Sequence, residues 1–435
     1  MKNDLFLLST ICIISFFNSA YAQDSWINKN ESENYVARHE CSFVQSGNKF
    51  IMFGGREQAK RLDIYDYSSN TWSQGTEAPI EFNHFQATEY DGLVWIIGAF
   101  KTNNFPNEIP ADHIYIYNPS LNIWMEGPMI PPKRRRGGAG LVTYKDKFYL
   151  VGGNTKGHNG GYIPWFDVYD PLNNNWKQLK DAPISRDHFS AAIIDDNIYA
   201  ISGRKSGGPG GTFGPLIPQV DVYDLKKGKW STLNKKQNLP TPRAGASIIV
   251  FENELFVIGG EGTTRGPAFK KVEAYKPSTN SWSNKSDLNF PRHGTQAIVS
   301  GKGIYIAGGS PVQAGGRQHH MEVYKKDEPK GDAIRASTLS AVKEVIFNPN
   351  KTRDILITSS GGNAGNFITN IAIIGEGSSN FVIKKTLFNH LIKSKTTQEI
   401  TMLANTSTVQ KTANLIITYD DGKNLNIKLK LIPSN

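Results

Sequence analysis

The sequence predicts an all-β protein in which one hairpin-rich unit is copied around a ring, with a second all-β domain behind it. Three observations carry that prediction. Five times a tyrosine is followed seven residues later by a tryptophan (Tyr65/Trp72, Tyr117/Trp124, Tyr169/Trp176, Tyr223/Trp230, Tyr275/Trp282), and successive tryptophans stand 52, 52, 54 and 52 residues apart. Each of these hairpins follows a hydrophobic run ending in a glycine pair, at Gly54-Gly55, Gly152-Gly153 and Gly259-Gly260, with degenerate forms at Gly98-Ala99 and Ser202-Gly203; Gly308-Gly309 opens a sixth copy that ends at Tyr324. Beyond Tyr324 the landmarks stop and seven runs of alternating apolar residues follow. A period near 50 residues belongs to propellers. Each unit alone buries too little, and the ring buries the faces of all six.

The landmarks resemble the kelch repeat: a strand ending in Gly-Gly, a variable loop, a strand with Tyr, a turn, then Trp. Glycine lets the chain turn sharply at the end of an inner strand, and the aromatic pair fills the space between neighbouring sheets. The sixth copy has Gly331 where its tryptophan would fall, whereas Trp26 precedes Arg38 by twelve residues as Trp124 precedes Arg136. Trp26 therefore supplies the missing outer strand, and that closure removes two open sheet edges. The expectation is an all-β, six-bladed kelch β-propeller over residues 23–330, closed by an N-terminal outer strand and followed by a β-sandwich.

Residues 1–22 read as a secretory signal peptide: Lys2, an apolar run from Leu5 to Phe17, then Ala20-Tyr21-Ala22. The next residue is Gln23 and not Cys, so a lipoprotein anchor is not expected. No other segment approaches bilayer-spanning length. The protein is expected to be exported, periplasmic or extracellular, and monomeric. Cys12 leaves with the signal peptide, and Cys41 alone forms no intramolecular disulfide. It reads as a small buried hydrophobe.

An arginine stands sixteen residues before five of the glycine pairs (Arg38, Arg136, Arg186, Arg243, Arg292), and a carboxylate two residues before five repeat tyrosines (Asp63, Asp167, Asp221, Glu273, Glu322). The second copy lacks both, with Phe82 and Tyr115 instead. Their joint loss suggests an ion pair within each unit. The competing reading is a cationic ring that holds an anion. Two guanidinium groups about 10 Å apart repel by roughly 1.5–2 kcal/mol at an effective dielectric near 20, which favours pairing.

Function is expected in the loops after the glycine pairs, which propellers gather on one face. They offer Arg56; Asn154, His158, Tyr162 and Trp165; Arg204 and a Gly/Pro-rich tongue from Ser206 to Pro218; Glu261 and Arg265; and Arg317, His319 and His320. The links between units add His39, His84, the run Lys133 to Arg136, His188 and His293. Lys133 and Arg134 read as a solvated charge run. Together the histidines, arginines and aromatics suggest a pocket for a polar, anionic ligand such as an acidic sugar. The segments GGNTKGHNGGYIPWFDVYDP and ISRDHFSAAIIDDNIYAISGR resemble the most distinctive part of a group of exported bacterial kelch proteins. They centre the expected site on His158, Trp165, Arg186, His188 and Arg204, with Arg56, Asn154 and Arg317 added as ligand-binding residues. No cofactor and no metal set is expected; His319-His320 would point to opposite faces of a strand.

Two enzyme families also share features. The chain resembles sialate mutarotase in blade number and in a Glu after a glycine-bearing strand with an Arg beyond it. This would make Glu261 and Arg265 the catalytic candidates, a general base beside a carboxylate-holding arginine. It resembles galactose oxidase in joining a kelch propeller to a β-sandwich, but has no Tyr-His dipeptide and six units instead of seven.

A polar linker is expected from Lys325 to Thr338, within a second domain spanning residues 331–435. Its strand-like runs are Glu344–Phe347, Asp354–Ser359, Phe367–Ile374, Phe381–Thr386, Glu399–Leu403, Ala413–Tyr419 and Leu425–Leu431. They suggest an immunoglobulin-like sandwich. RDILITSSGGNAGNFITNIAIIGEGSSNFVI and ANLIITYDDG resemble Ig-like modules of bacterial surface proteins and of proteins related to major sperm protein. That domain carries 12 Lys+Arg against 7 Asp+Glu, and the chain as a whole is +10. The charge is dispersed and no recognition motif stands out, so nucleic acid is not expected. The functional expectation is a binding protein for a carbohydrate or protein ligand, with a sugar mutarotase or epimerase as the enzyme alternative and a copper oxidase behind it.

Overall fold

A computed structural model describes residues 24–31, 34–325, 328–420 and 422–434. The expected signal peptide lies outside the described residues. From Trp26 to Tyr324 the described chain forms six four-stranded antiparallel sheets. Their first strands are Cys41–Ser46, Ala87–Tyr90, Gly140–Tyr144, Ala191–Ile194, Ser247–Phe251 and Ala297–Ser300. These strands touch one another in cyclic order, the last against the first. Two further sheets make up residues 338–431. Among the described residues no helix is long and apolar enough to cross a membrane.

The repeated aromatic pair forms because tyrosine and tryptophan stand directly opposite each other in the outer hairpin of each sheet: Tyr65 faces Trp72, Tyr117 Trp124, Tyr169 Trp176, Tyr223 Trp230 and Tyr275 Trp282. The ring centroids lie 4.9–5.2 Å apart, a separation worth about 0.5–1.5 kcal/mol per pair beyond area burial. The sixth sheet completes the pattern from the other end of the chain. Strand Trp26–Glu31 pairs with His320–Tyr324, Trp26 faces Tyr324 with centroids 5.4 Å apart, and the indole N–H donates to Ser286 O at 3.0 Å.

All five arginines are buried and each meets the carboxylate of its own sheet: Arg38 with Asp63, Arg136 with Asp167 at 2.7 Å, Arg186 with Asp221 at 2.7 Å, Arg243 with Glu273 at 2.5 Å, and Arg292 with Glu322. They are struts and not an anion-binding ring. In the second sheet Phe82 and Tyr115 occupy the same places in an edge-to-face contact with centroids 5.2 Å apart. An apolar pair thus replaces the ion pair without leaving a buried charge unmatched. Arg134, expected in solvent, is buried too, donating to Asp167 at 3.0 Å with Trp165 4.5 Å from its guanidinium. Cys41 is buried as expected.

A second ring of contacts lies at the channel end of the inner strands. The backbone N–H of His84 donates to Glu40 O, Gly138 to His84 O, His188 to Gly138 O, Gly245 to His188 O, Gly294 to Gly245 O and Cys41 to Gly294 O, at 2.7–3.2 Å. Each residue Glu40, His84, Gly138, His188, Gly245 and Gly294 therefore hands the ring on from one sheet to the next. All six have left-handed backbones, φ running from 50° to 67°.

The C-terminal sheets pack over one core that includes Phe347, Ile357, Phe381, Ile400, Leu415 and Leu429. All seven expected strands are present, along with two shorter ones, Thr338–Ser340 and Leu391–Ile392. Glu344–Phe347 runs parallel to Lys423–Leu431. The segment before them is irregular but tied down: Lys330 O accepts from Gln45 Nε2 at 2.8 Å, and Lys330 N–H donates to Ser300 Oγ at 2.9 Å. The C-terminal sheets also share a core with the second and third sheets, where Phe367 and Leu391 join Leu93, Trp95 and Phe148. Asp91 fixes that seam by accepting from the Ser394 N–H and hydroxyl, both at 2.8 Å.

Candidate functional site

The left-handed ring sets the floor of the site. Glycine adopts that backbone freely, and three units use it, at Gly138, Gly245 and Gly294. The other three carry Glu40, His84 and His188, at a backbone cost of roughly 1–2 kcal/mol each. Side chains held where glycine is the easy choice mark a place where the side chain is needed.

The neighbouring positions orient these groups. Asn83 Oδ1 lies 2.7 Å from His84 Nδ1, while the same amide donates to Thr102 O at 2.8 Å. Asp187 Oδ1 meets His188 Nδ1, and Ser206 holds the aspartate with its hydroxyl at 2.6 Å and its N–H at 3.0 Å. The residue after each glycine pair bridges back to this level, pairing Asp187 with Arg204 and Ala244 with Glu261.

Loops complete the walls. His158 sits in a short turn, Gly157–Asn159, and its Nδ1 lies 2.9 Å from Glu108 Oε1. Glu108 comes from the loop of the second sheet and also accepts from Arg56 and, at 3.0 Å, from the His158 backbone N–H. Burial opposes its charge, but the bonds and charges of His158 and Arg56 outweigh that and bring its pKa down to about 2. Phe105 and Phe213 flank the His158 ring at 4.9 and 6.0 Å. The open cavity between these loops has a volume of about 430 Å³ and is lined among others by Glu40, Arg56, His84, Phe105, His158, Phe213 and Glu261.

Each cationic group in this space faces a carboxylate. Arg204 pairs with Glu261, whose other oxygen accepts from the Ala314 N–H at 2.8 Å and lies 3.4 Å from His293 Nε2. His293 also lies 3.5 Å from Glu40. Burial disfavours a proton on His293, but the Glu261 and Glu40 carboxylates outweigh it and raise its pKa. For His84 and His158 burial prevails: His84 falls well below the usual imidazole range and His158 to about 4. Four buried carboxylates, Glu40, Glu108, Asp187 and Glu261, thus face Arg56, Arg204 and His293.

Of the expected ligand-binding residues, Arg56 and His158 line the cavity, His188 lies beneath it and Arg204 is buried beside it. Arg186 belongs instead to a structural ion pair, its guanidinium spent on Asp221 and on the Ser202 and Gln219 carbonyls. Trp165 covers Arg134 and Arg136, outside the cavity. Asn154 is fully buried in the bridge to Gly137 and Tyr162. Arg317 lines a separate outer depression of about 610 Å³ with Tyr35 and His319. Glu261 and Arg265 do not form the expected catalytic pair: Glu261 is buried against Arg204, whereas Arg265 is exposed and does not line the cavity. Glu40, Glu108, Asn83 and Asp187 were not singled out from sequence. The signal for Glu40 was available, because it stands two residues after Arg38 as His188 stands two after Arg186.

Comparison with known proteins bears on the repeats. Residues 126–309 match the KLHDC2/KLHL20/DRC7 Kelch-repeats domain model. Residues 126–309 therefore carry the kelch signature. Kelch-like protein terF of Aspergillus terreus is 27% identical over 248 residues, 55% of this chain and 52% of that protein. Human Kelch-like protein 23 is 27% identical over 51% of this chain and 36% of its own length, and beta-scruin of Limulus polyphemus is 26% identical over 53% and 24%. The chain thus spans about half or less of the length of these curated relatives. A solved structure described as "Structure of YjhT" shares the fold, with a TM-score of 0.55 and 14% identity over 70% of this chain and 97% of that one.

Proposed function

We propose that the chain is an exported six-bladed kelch propeller, carrying an Ig-like module, that binds a carbohydrate in the cavity on its loop face. The observation that carries this reading is the cavity itself, about 430 Å³ with aromatic walls and a polar floor. That volume falls in the range of about 300–1,000 Å³ typical of small-molecule sites. Phe105 is 58% exposed at the mouth, an apolar face of the kind that covers the C–H side of a sugar ring. Glu40, Asn103 and Glu261 offer acceptors and donors for hydroxyls. Because Arg56 and Arg204 already face glutamates, a neutral sugar suits the cavity better than an acidic one.

A protein partner is the second reading, supported by the apolar side chains of Phe105, Ile109 and Val312, which stand exposed on the loops around the mouth. Titration calorimetry of the full chain with neutral and acidic mono- and disaccharides separates the two. The sugar reading expects saturable binding of a neutral saccharide that weakens about tenfold or more in Phe105→Ala. Absence of binding across both sugar classes overturns it.

A further inference from the structure

We propose that His84, His158 and His188 form a binding site for a divalent transition-metal ion at the floor of the cavity. The three imidazoles come from three different sheets, with ring centroids 4.5, 4.8 and 5.0 Å apart. Each offers a ligand atom, and the three atoms lie within 4.8 Å of one another. In a tetrahedral site with bonds of about 2.0–2.1 Å, ligand nitrogens stand about 3.3 Å apart, so closing on an ion asks each ring to move by at most about 0.8 Å.

The hydrogen bonds behind the rings decide which nitrogens face inward. A carboxylate only accepts, so His158 Nδ1 facing Glu108 and His188 Nδ1 facing Asp187 both carry the proton. Asn83 is fixed the same way, because its amide nitrogen donates to Thr102 O and its oxygen is left to accept from His84 Nδ1. All three Nε2 atoms therefore present bare lone pairs to one space. Those of His84 and His188 are buried without a hydrogen-bond partner, and Glu40 Oε2, itself an acceptor, lies 3.4 Å from His84 Nε2. Converging lone pairs beside a carboxylate are satisfied by a cation. An oxygen acceptor behind each ring is also how metal-bound histidines are held, fixing the tautomer and strengthening the ligand.

Backbone and burial agree with this assignment. His84 and His188 occupy two of the strained left-handed positions, and between them lies Gly138, where a Cβ would stand 3.6 Å from His188 Nδ1. All three imidazoles are buried, each 4% exposed. Imidazole ligands suit zinc, copper, nickel or iron. Three protein nitrogens leave a coordination position open, toward the cavity that His84, His158 and Glu40 line. The inference stands whether or not the cavity takes a sugar.

The test is titration of chelator-stripped full chain with Zn²⁺ in competition with a chromophoric chelator, and with Co²⁺ followed by its visible absorption. One ion should bind per chain, with the intense bands of low-coordinate cobalt. The informative variants are His84→Gly and His188→Gly, because glycine is what three sister positions use: both should stay folded by circular dichroism and lose affinity at least about 100-fold, with Asn83→Ala weakened about 10–100-fold. His158→Ala, in a loop, should lose affinity like the glycine variants. No saturable binding of Zn²⁺, Co²⁺, Ni²⁺ or Cu²⁺ to the folded wild type would overturn the proposal. So would equal binding in the double variant His84→Gly/His188→Gly, which would place the ion on surface histidines. Sugar titrations of stripped and loaded protein are read separately, so failure of the carbohydrate reading leaves this result standing.

Discussion

Replacing a buried ion pair of one sheet by the apolar pair of another tests how the propeller is braced. Arg186 is 1% exposed; it donates to Ser202 O at 3.0 Å, Gln219 O at 3.1 Å and Asp221 Oδ2 at 2.7 Å. Asp221→Tyr strands a guanidinium in the interior, and Arg186→Phe strands a carboxylate whose remaining side-chain donor is Thr232, at 2.5 Å. Each should cost about 3–5 kcal/mol, so independent effects would sum to about 6–10. The double variant Arg186→Phe/Asp221→Tyr installs what Phe82 and Tyr115 provide in the second sheet. It leaves no unpaired charge, only two carbonyls short of a donor at about 1–3 kcal/mol each. It should therefore be no less stable than either single variant, a coupling of at least about 3 kcal/mol. Urea unfolding of the full chain, followed by tryptophan fluorescence, reads this out. Additive losses would refute the view that the pair is a self-contained strut.

Other consequences follow from the same packing. Trp26 is 5% exposed, packed at a tilt against Tyr324 and bonded to Ser286 O, so Trp26→Ala should cost about 3–5 kcal/mol and open the ring to proteolysis; unchanged protease resistance would sink the closure model. Burial pushes the Cys41 thiol up to about 11, so iodoacetamide should leave Cys41 of the folded protein unlabelled at pH 8 and modify it on denaturation, read by peptide mass mapping. The unfolded thiol ionises near pH 8.5 and the folded one later, so this group destabilises the fold as pH rises from about 8.5 toward 11. Phe367 is fully buried against Trp95, so calorimetry should show the two domains melting together, with Phe367→Ala costing about 3–5 kcal/mol and splitting the transition.

What could be read from the chain alone follows from which physical demands recur. Every sheet needs an aromatic pair and a brace at the same depth, so Tyr/Trp and Arg/carboxylate repeat at fixed offsets. The joint absence of Arg and carboxylate from the second copy already pointed to pairing. The alternating runs of the C-terminal domain were equally legible, whereas Thr338–Ser340 and Leu391–Ile392 are too short to show a period. The site depends on what does not recur. Arg56 meets Glu108 and Arg204 meets Glu261 across loops 52 and 57 residues apart, and no spacing rule links residues on irregular loops of different units. Read singly, those arginines suggested a place for an anion; with their partners in view, they leave the cavity suited to neutral or cationic groups.

The ring at the channel end shows how the missing part can be recovered. Its six positions share one backbone conformation, so the physics of the repeat prescribes glycine at each, and Gly138, Gly245 and Gly294 comply. The exceptions Glu40, His84 and His188 each give up roughly 1–2 kcal/mol of backbone preference. Nothing in the packing of the sheets requires them, since the sister positions manage without a side chain. Two of the three converge with His158 on a single point, and the third places a carboxylate 3.4 Å from one of them. In a repeat protein the framework is found where the copies agree, and the chemistry where a copy departs from what its backbone would choose. By that criterion Glu40, His84 and His188 are the first residues to substitute in testing the proposed sites.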